Sequence, residues 1–410
     1  MQENKPLRVA LVGHGFMGAA HSQAWRVAPR FFDLPRQPRM DLLVGRDPER
    51  TSADARKWGW AESGTDWREA VTREDIDVVD IVTPGASHAE IAIAALDAGK
   101  HVLCEKPLAN TVEEAQAMAD AAARAEARGV RAMVGFTYRR LPATTHARNL
   151  VASGAIGTVR QVRAVYLQDW LVDEDSPLTW RLQQEEAGSG ALGDLGAHAV
   201  DLAQYITGVP LAEVSGTLAT LVPTRPVPGA DHRGTGLGGG TGGAGAGDAR
   251  AGAAGAGAAA ARGPVTVDDV ALFLGRFEDG VLGSFEASRM ATGRKNAFQL
   301  EISGSKGAIS FDLEDLNFLG FMDYTVPPDR QGFTRIMVTE PEHPYLSAWW
   351  PAGHSLGYEH GFVHQAKDFV EAVAAGTAPA PSFADGLQVQ EVLDAVSRSA
   401  AKSSVWLPVR

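Results

Sequence analysis

A short apolar run, Leu7-Arg8-Val9-Ala10-Leu11-Val12, passes into Gly13-His14-Gly15-Phe16-Met17-Gly18. Ala19-Ala20-His21-Ser22-Gln23-Ala24-Trp25 follows and suits a helix. The G-x-G-x-x-G spacing says little by itself in a chain with 45 glycines. Its setting says more. Strand, tight glycine turn and helix form the opening of a parallel α/β unit, in which backbone N–H groups at a helix N-terminus receive a pyrophosphate. Gly13, Gly15, Phe16, Met17 and Gly18 are therefore candidate dinucleotide-binding residues.

The 410 residues suffice for two or three domains. With 38 basic and 50 acidic side chains the formal charge is −12. That argues against nucleic acid as the main partner, because phosphate binding wants a basic face. No run approaches the ~20 apolar residues of a membrane helix. The N-terminus lacks the apolar core of a signal peptide, so the cytoplasm is the expected compartment. Cys104 is the single cysteine. It excludes an internal disulfide and reads as packing in a strand.

The first third alternates short apolar runs with helical patterns, as a helix-covered parallel sheet does. Strands are expected at 8–12, 40–44, 78–83, 101–105 and 132–136. Asp47-Pro48-Glu49 marks a helix start, with Asp47 as N-cap and Pro48 at the first helical position. Ser87/Glu90 and Thr111/Glu114 have capping-box spacing. Beyond residue 130 a helix is expected at 142–153. Consecutive strands follow at 159–166, 265–277, 280–289, 298–303 and 308–312, with a hairpin turn at 304–307. Helices are expected at 362–375 and 388–400. The fold class is thus an α/β Rossmann nucleotide-binding domain over 1–129. An α+β domain with a mostly antiparallel sheet follows over 130–410. Its open face would cover the nucleotide domain or another subunit. Residues 228–263 are roughly three quarters Gly or Ala. They offer little to bury against ordering entropy and are expected to be a disordered insertion.

Two strings carry the chemistry. Cys104-Glu105-Lys106-Pro107 puts a lysine at the tip of the run His101-Val102-Leu103. Gly193-Asp194-Leu195-Gly196-Ala197-His198-Ala199-Val200-Asp201 puts a carboxylate and an imidazole four residues apart, on one face if helical. Each alone reads as an ordinary solvated residue or surface pair. Together, behind a dinucleotide loop, they form a proton-transfer set. Lys106 can hold a developing alkoxide, His198 can take the hydroxyl proton, and Asp194 can orient the imidazole or hold a neighbouring hydroxyl. Asp201 fits a role in holding the helix or the domain interface. No further ligand cluster accompanies His198 and Asp201, so no metal is expected.

Glycine loop, E-K-P lysine and G-D-x-G-x-H-x-x-D in this order resemble the glucose-fructose oxidoreductase / inositol dehydrogenase / MocA family. Thr137-Tyr138-Arg139-Arg140, Tyr166-Leu167-Gln168-Asp169-Trp170 and Pro381-Ser382-Phe383-Ala384-Asp385-Gly386 resemble its sugar-oxidising branch. The resemblance covers most of the chain outside 228–263. It implies a Rossmann domain, a mixed-sheet second domain, a nicotinamide cofactor and hydride exchange with a sugar, cyclitol or related polyol. It also implies a homodimer or homotetramer and a cis Lys106-Pro107 bond. Thr83, Pro84, His88, Glu105 and Lys106 join the candidate cofactor residues. Tyr138, Trp170, Trp180 and Arg181, with Asp194 and His198, are the candidate substrate residues, since sugars present apolar faces and many hydroxyls.

The cofactor is NAD or NADP. The second strand ends at Gly45-Arg46, without the acid that holds ribose hydroxyls in many NAD sites. Gly45 leaves room and Arg46 a cation for a 2′-phosphate, which leans towards NADP; Arg46 could also stack on adenine and accept either. Two rivals stay open: a glycosidase that retains NAD for transient oxidation at C3, and a non-catalytic dinucleotide-binding regulator.

Overall fold

The computed structural model describes residues 5–228 and 261–410. The first part runs β1 (Leu7–Val12), α1 (Phe16–Phe31), β2 (Pro38–Val44), α2 (Pro48–Trp58), β3 (Glu62–Gly64), α3 (Trp67–Thr72), β4 (Val78–Ile81), α4 (His88–Asp97), β5 (His101–Cys104), α5 (Val112–Glu126) and β6 (Ala132–Val134). These strands form one parallel sheet in the order β3-β2-β1-β4-β5-β6. Strand order reverses between β1 and β4. A crevice opens there beyond the carboxyl ends of the strands, the usual ligand position in such sheets. β4 is buried at all four positions, as a sheet covered on both faces requires.

Helix starts follow local chemistry. Asp47 caps α2 by accepting the Arg50 N–H at 3.0 Å, with Pro48 in the first turn. Thr111 and Glu114 form the reciprocal capping box of α5. Ser87 does not cap α4 as its spacing suggested. A 3-10 turn at Gly85–Ser87 runs directly into the helix and leaves Ser87 already curled. Its hydroxyl turns back to Thr83 Oγ1 at 2.7 Å and Pro84 O at 3.0 Å.

The second part runs α6 (Pro142–Ala152), β7 (Val159–Leu167), the single-turn α7 (Gln184–Ala187), α8 (Ala197–Thr207), β8 (Leu211–Ala219), β9 (Thr224–Pro226), β10 (Arg262–Pro264), β11 (Val270–Phe277), β12 (Leu282–Ser288), β13 (Ala297–Gly304), β14 (Gly307–Asp312), β15 (Phe318–Asp323), β16 (Thr334–Met337), α9 (His360–Ala375), α10 (Phe383–Ala401) and β17 (Leu407–Pro408). Nine strands form a sheet in the order β16-β15-β14-β13-β7-β12-β11-β8-β17. Only β7 and β12 pair in parallel, so the sheet is mostly antiparallel. β8, β15 and β16 were not anticipated. β11 begins five residues later than expected because Asp268 and Asp269 bind other segments. Asp268 accepts the Gly190 and Leu192 N–H groups, each at 2.8 Å, and Asp269 accepts those of Leu221 and Val222. α10 begins earlier than expected, at a Ser382–Asp385 capping box. Gly386 inside its first turns is not a break but a close approach: a Cβ there would meet Val134 Cγ2 at 2.9 Å.

α9 leaves its own neighbours and packs on α1. Its Phe362, Phe369 and Val370 share a buried cluster with Leu7, Val9, Leu11 and Trp25. The C-terminal segment therefore completes the core on one face of the nucleotide-binding sheet.

The expected insertion is narrower than 228–263. Arg262 pairs with Pro226 and Gly263 with Arg225, and Val227 N–H donates to Ala261 O at 2.8 Å. The buried Arg225 guanidinium donates to Leu171 O and Asp173 O, each at 2.7 Å. Residues 229–260 of the expected insertion lie outside the described residues. The two flanks meet in one ladder, so a short Gly/Ser bridge can replace 229–260. The expected result is a melting temperature and turnover close to those of the full chain. Differential scanning calorimetry with a steady-state assay checks it, and a drop of many degrees would refute it.

Candidate active site

The three glycines of the first loop do different work. Gly13 has φ +109°, and a Cβ there would meet the Val82 backbone at 3.0 Å. A Cβ at Gly18 would lie 2.7 Å from Gly13 O, so the helix packs tightly on the loop. At Gly15 a Cβ would meet nothing within 4 Å. Gly15 is also the N-cap of α1 and supplies no capping side chain. The first-turn N–H groups are thus open to an approaching anion, which fits a dinucleotide pyrophosphate. Phe16 is exposed and stacks on Tyr358 with centroids 6.4 Å apart, and Met17 is half-buried.

Below this loop lies a buried charge cluster. His21 Nδ1 stands 2.9 Å from Asp80 Oδ2, and His21 Nε2 3.0 Å from Glu105 Oε1. Trp25 Nε1 donates to Asp80 Oδ2 at 2.7 Å, and the Lys106 N–H donates to Glu105 Oε2 at 3.1 Å. Burial pulls the His21 pKa down, but the fields and hydrogen bonds of Asp80 and Glu105 outweigh it and raise it to about 10. A charged His21 therefore joins α1, β4 and the end of β5 beside Lys106. Since its folded pKa exceeds the ordinary value near 6.5, its stabilisation is complete below about pH 6.5 and declines as pH rises. It is gone above about pH 10. Melting temperature should fall more steeply between pH 7 and 10 in the wild type than in His21→Gln. Parallel slopes would contradict this.

Lys106 follows β5 and its bond to Pro107 is cis. Its Nζ donates to Asp194 O at 2.8 Å and to Asp194 Oδ1 at 3.2 Å. Asp194 sits in a π-helical turn, Leu192–Gly196, that leads into α8. The regular α-helical face expected for Asp194 and His198 is replaced by this wider turn, which aims the Asp194 carbonyl and one carboxylate oxygen at the ammonium. Asp194 orients the lysine rather than the imidazole. Burial pushes its carboxyl up, but Lys106, Arg181 and Arg289 together hold it well below the usual range. His198 is packed by the Tyr138 ring, centroids 4.5 Å apart, and flanked by Phe136 and Tyr166. Among the described residues none hydrogen-bonds its ring nitrogens. Burial, then the Lys106 charge, drives its pKa well below 6.5, with Asp194 opposing. The ring is a neutral acceptor at neutral pH. Asp201 does hold the fold: its carboxylate accepts Arg139 Nε at 2.9 Å and Arg139 Nη2 at 2.6 Å.

Of the candidate substrate residues, Tyr138 packs on His198, the Arg181 charge acts on Asp194, and Trp170 is linked to Tyr138 by a chain of hydrogen bonds. Tyr138 and Tyr166 hydroxyls meet at 2.8 Å, and Tyr166 donates to Asn296 Oδ1 at 2.8 Å. Gln168 Nε2 donates to Asn296 Oδ1 at 2.7 Å, and Trp170 Nε1 donates to Gln168 Oε1 at 2.9 Å. Arg181 covers the Trp180 ring at 4.4 Å, and its field acts on Asp194. The buried Arg289 lies 5.6 Å over Trp170 and donates to Asp268 O at 2.9 Å. Asn296 and Arg289 were not identified from the sequence, and Tyr166 only as part of the string that resembles the sugar-oxidising branch. Period-2 alternation along β7 was the available signal for Tyr166. Arg289 and Asn296 reach the site only through sheet pairing and loop packing, which short-range spacing does not reveal.

Of the remaining cofactor candidates, Thr83 Oγ1 accepts Ser87 Oγ, and Pro84 leads into the 3-10 turn. His88 is buried, with its nitrogens 2.9 Å from Thr83 O and 3.0 Å from Pro107 O. It ties the loop after β4 to that after β5. At the tip of β2, Arg46 is exposed. The room expected beside Gly45 is filled: a Cβ there would come within 2.1 Å of His14 Cδ2.

Residues 7–136 match the model of an oxidoreductase family with an NAD-binding Rossmann fold. Residues 144–310 match the GFO/IDH/MocA C-terminal domain. The chain belongs to the GFO/IDH/MocA family. It is 43% identical over 407 residues to levoglucosan dehydrogenase of Pseudarthrobacter phenanthrenivorans, covering 98% of each chain. Among solved structures, an oxidoreductase domain protein from Kribbella flavida shares 57% identity at a TM-score of 0.90, covering 99% of this chain and 100% of that one. Levoglucosan dehydrogenase in complex with NADH shares 41% identity at a TM-score of 0.88, covering 99% of each. The family fold and the oxidoreductase class anticipated from the three motifs therefore hold. No helix among the described residues is long and apolar enough to cross a membrane.

Within this family member, Lys106→Ala and His198→Ala should each lower kcat by about a hundredfold or more while retaining dinucleotide binding. Wild-type kcat/KM should stay level as pH falls through 6.5 and drop only well below it. In Lys106→Ala the residual acid limb should move up towards 6.5, because a cation that depresses the His198 pKa is gone. Steady-state pH profiles check both, and an unmoved limb would count against His198 as the base.

Proposed function

We propose that this protein is a sugar dehydrogenase that exchanges a hydride between a secondary hydroxyl of a pyranose-like sugar or cyclitol and a nicotinamide dinucleotide. The observation that carries the proposal is the Lys106 ammonium, fixed on Asp194 at 2.8 and 3.2 Å, beside a neutral His198 whose ring nitrogens find no hydrogen-bond partner among the described residues. A substrate hydroxyl between them gives its proton to His198 and leaves its growing negative charge against Lys106. The dinucleotide supplies the hydride acceptor when bound. Asp194 keeps the ammonium in place, while Arg181 and Arg289 hold Asp194 ionised. Tyr138, Trp170, Trp180 and Arg181 line the sugar side.

The relatives support the substrate class: levoglucosan dehydrogenase has been solved with NADH and levoglucosan, and with NADH and L-sorbose. At the adenosine end, the exposed Arg46 and the lack of an acid at Gly45 support NADP, by a guanidinium–phosphate contact.

Levoglucosan, glucose and inositol, each assayed with NAD and NADP by absorbance of the reduced nicotinamide, test the proposal. Reduced nicotinamide should accumulate with at least one, faster with NADP. Release of a free sugar from a glycoside without net reduction would replace the proposal by transient oxidation on a retained cofactor. No turnover of either kind would favour a dinucleotide-binding regulator.

A further inference from the structure

His14, between Gly13 and Gly15, reaches over the tip of β2 to α2. Its Nδ1 stands 2.9 Å from Asp54 Oδ2 and its Nε2 3.3 Å from Thr51 Oγ1. Thr51 Oγ1 in turn donates to Asp47 O. Thr51 and Asp54, three residues apart on α2, present one face to the imidazole. A Cβ at Gly45 would meet His14 Cδ2 at 2.1 Å, His14 Nε2 at 2.4 Å and Thr51 Oγ1 at 2.5 Å. Both side chains that it would strike are held by other groups, so neither moves aside freely. An acid at 45, the usual holder of ribose hydroxyls, and the pinned His14 exclude each other.

We propose that His14, held by Asp54 and Thr51, is a positioning residue for the adenosine ribose of the dinucleotide. Its imidazole forms the floor that a strand-end carboxylate forms elsewhere. The inference rests on the dinucleotide reading of the glycine loop and not on the choice of NADP.

Calorimetric titration of NAD and NADP into the wild type, His14→Ala, Gly45→Asp and the double variant tests it. Gly45→Asp alone should weaken both dinucleotides by about tenfold or more, because His14 is displaced. In the double variant NAD affinity should recover to within about threefold of wild type, while NADP stays weak through like-charge repulsion. His14→Ala alone should weaken both. Wild-type NAD affinity in Gly45→Asp, or a double variant no better than Gly45→Asp, would overturn the proposal. Should Gly45→Asp fail to fold, His14→Ala decides: unchanged affinity for both dinucleotides overturns it. A wild type that binds neither would instead overturn the dinucleotide reading.

Discussion

The His21 imidazolium sealed between Asp80 and Glu105 ties three elements of the nucleotide-binding sheet at the point where chemistry begins. Two acids buried without that cation would repel each other and lose hydration that nothing restores. With it, Glu105 is fixed on both oxygens, one by His21 and one by the backbone of Lys106. The lysine therefore leaves β5 from an anchored residue. The Trp25 indole on Asp80 and the Phe362 ring against His21 close the cluster from α1 and α9.

The second half of the chain meets that lysine with an irregular helix. Had 192–196 been regular α-helix, the Asp194 carbonyl would point along the axis to the next turn. The π-turn widens the backbone and frees the carbonyl for Lys106, a use of π-bulges common at functional sites. The same ammonium then has two effects of one sign: it lowers the pKa of Asp194 and that of His198. One group stays charged and the other neutral, which separates holding from proton acceptance without any further device.

Much of this was legible in the sequence, for definite reasons. Glycine loops, capping pairs and apolar runs act over a few residues, so β1, α2, α5 and the Lys106 and Asp194–His198 strings could be read directly. Three features could not. Ser87 has capping spacing, but the backbone before it was already turning. Gly45 looked like open room, yet the ring that fills it comes from 31 residues earlier. Asp268 and Asp269 delay the start of β11 because their partners are 47 to 78 residues away. The last two are contacts between distant segments that local pattern does not encode, and the first is a turn that capping spacing alone does not reveal.

The docking of α9 on α1 has a consequence for synthesis. The nucleotide-binding strands leave the ribosome well before α9, yet the apolar cluster around Leu7, Val9 and Leu11 is completed only by α9, which joins Trp25 and Ala28 of α1 there. Until Phe362, Phe369 and Val370 emerge, the nascent α/β unit leaves their share of that cluster exposed to other hydrophobic surfaces in its surroundings. Final closure is thus a late, long-range event, and premature termination before α9 leaves an intact motif on a half-covered, aggregation-prone sheet.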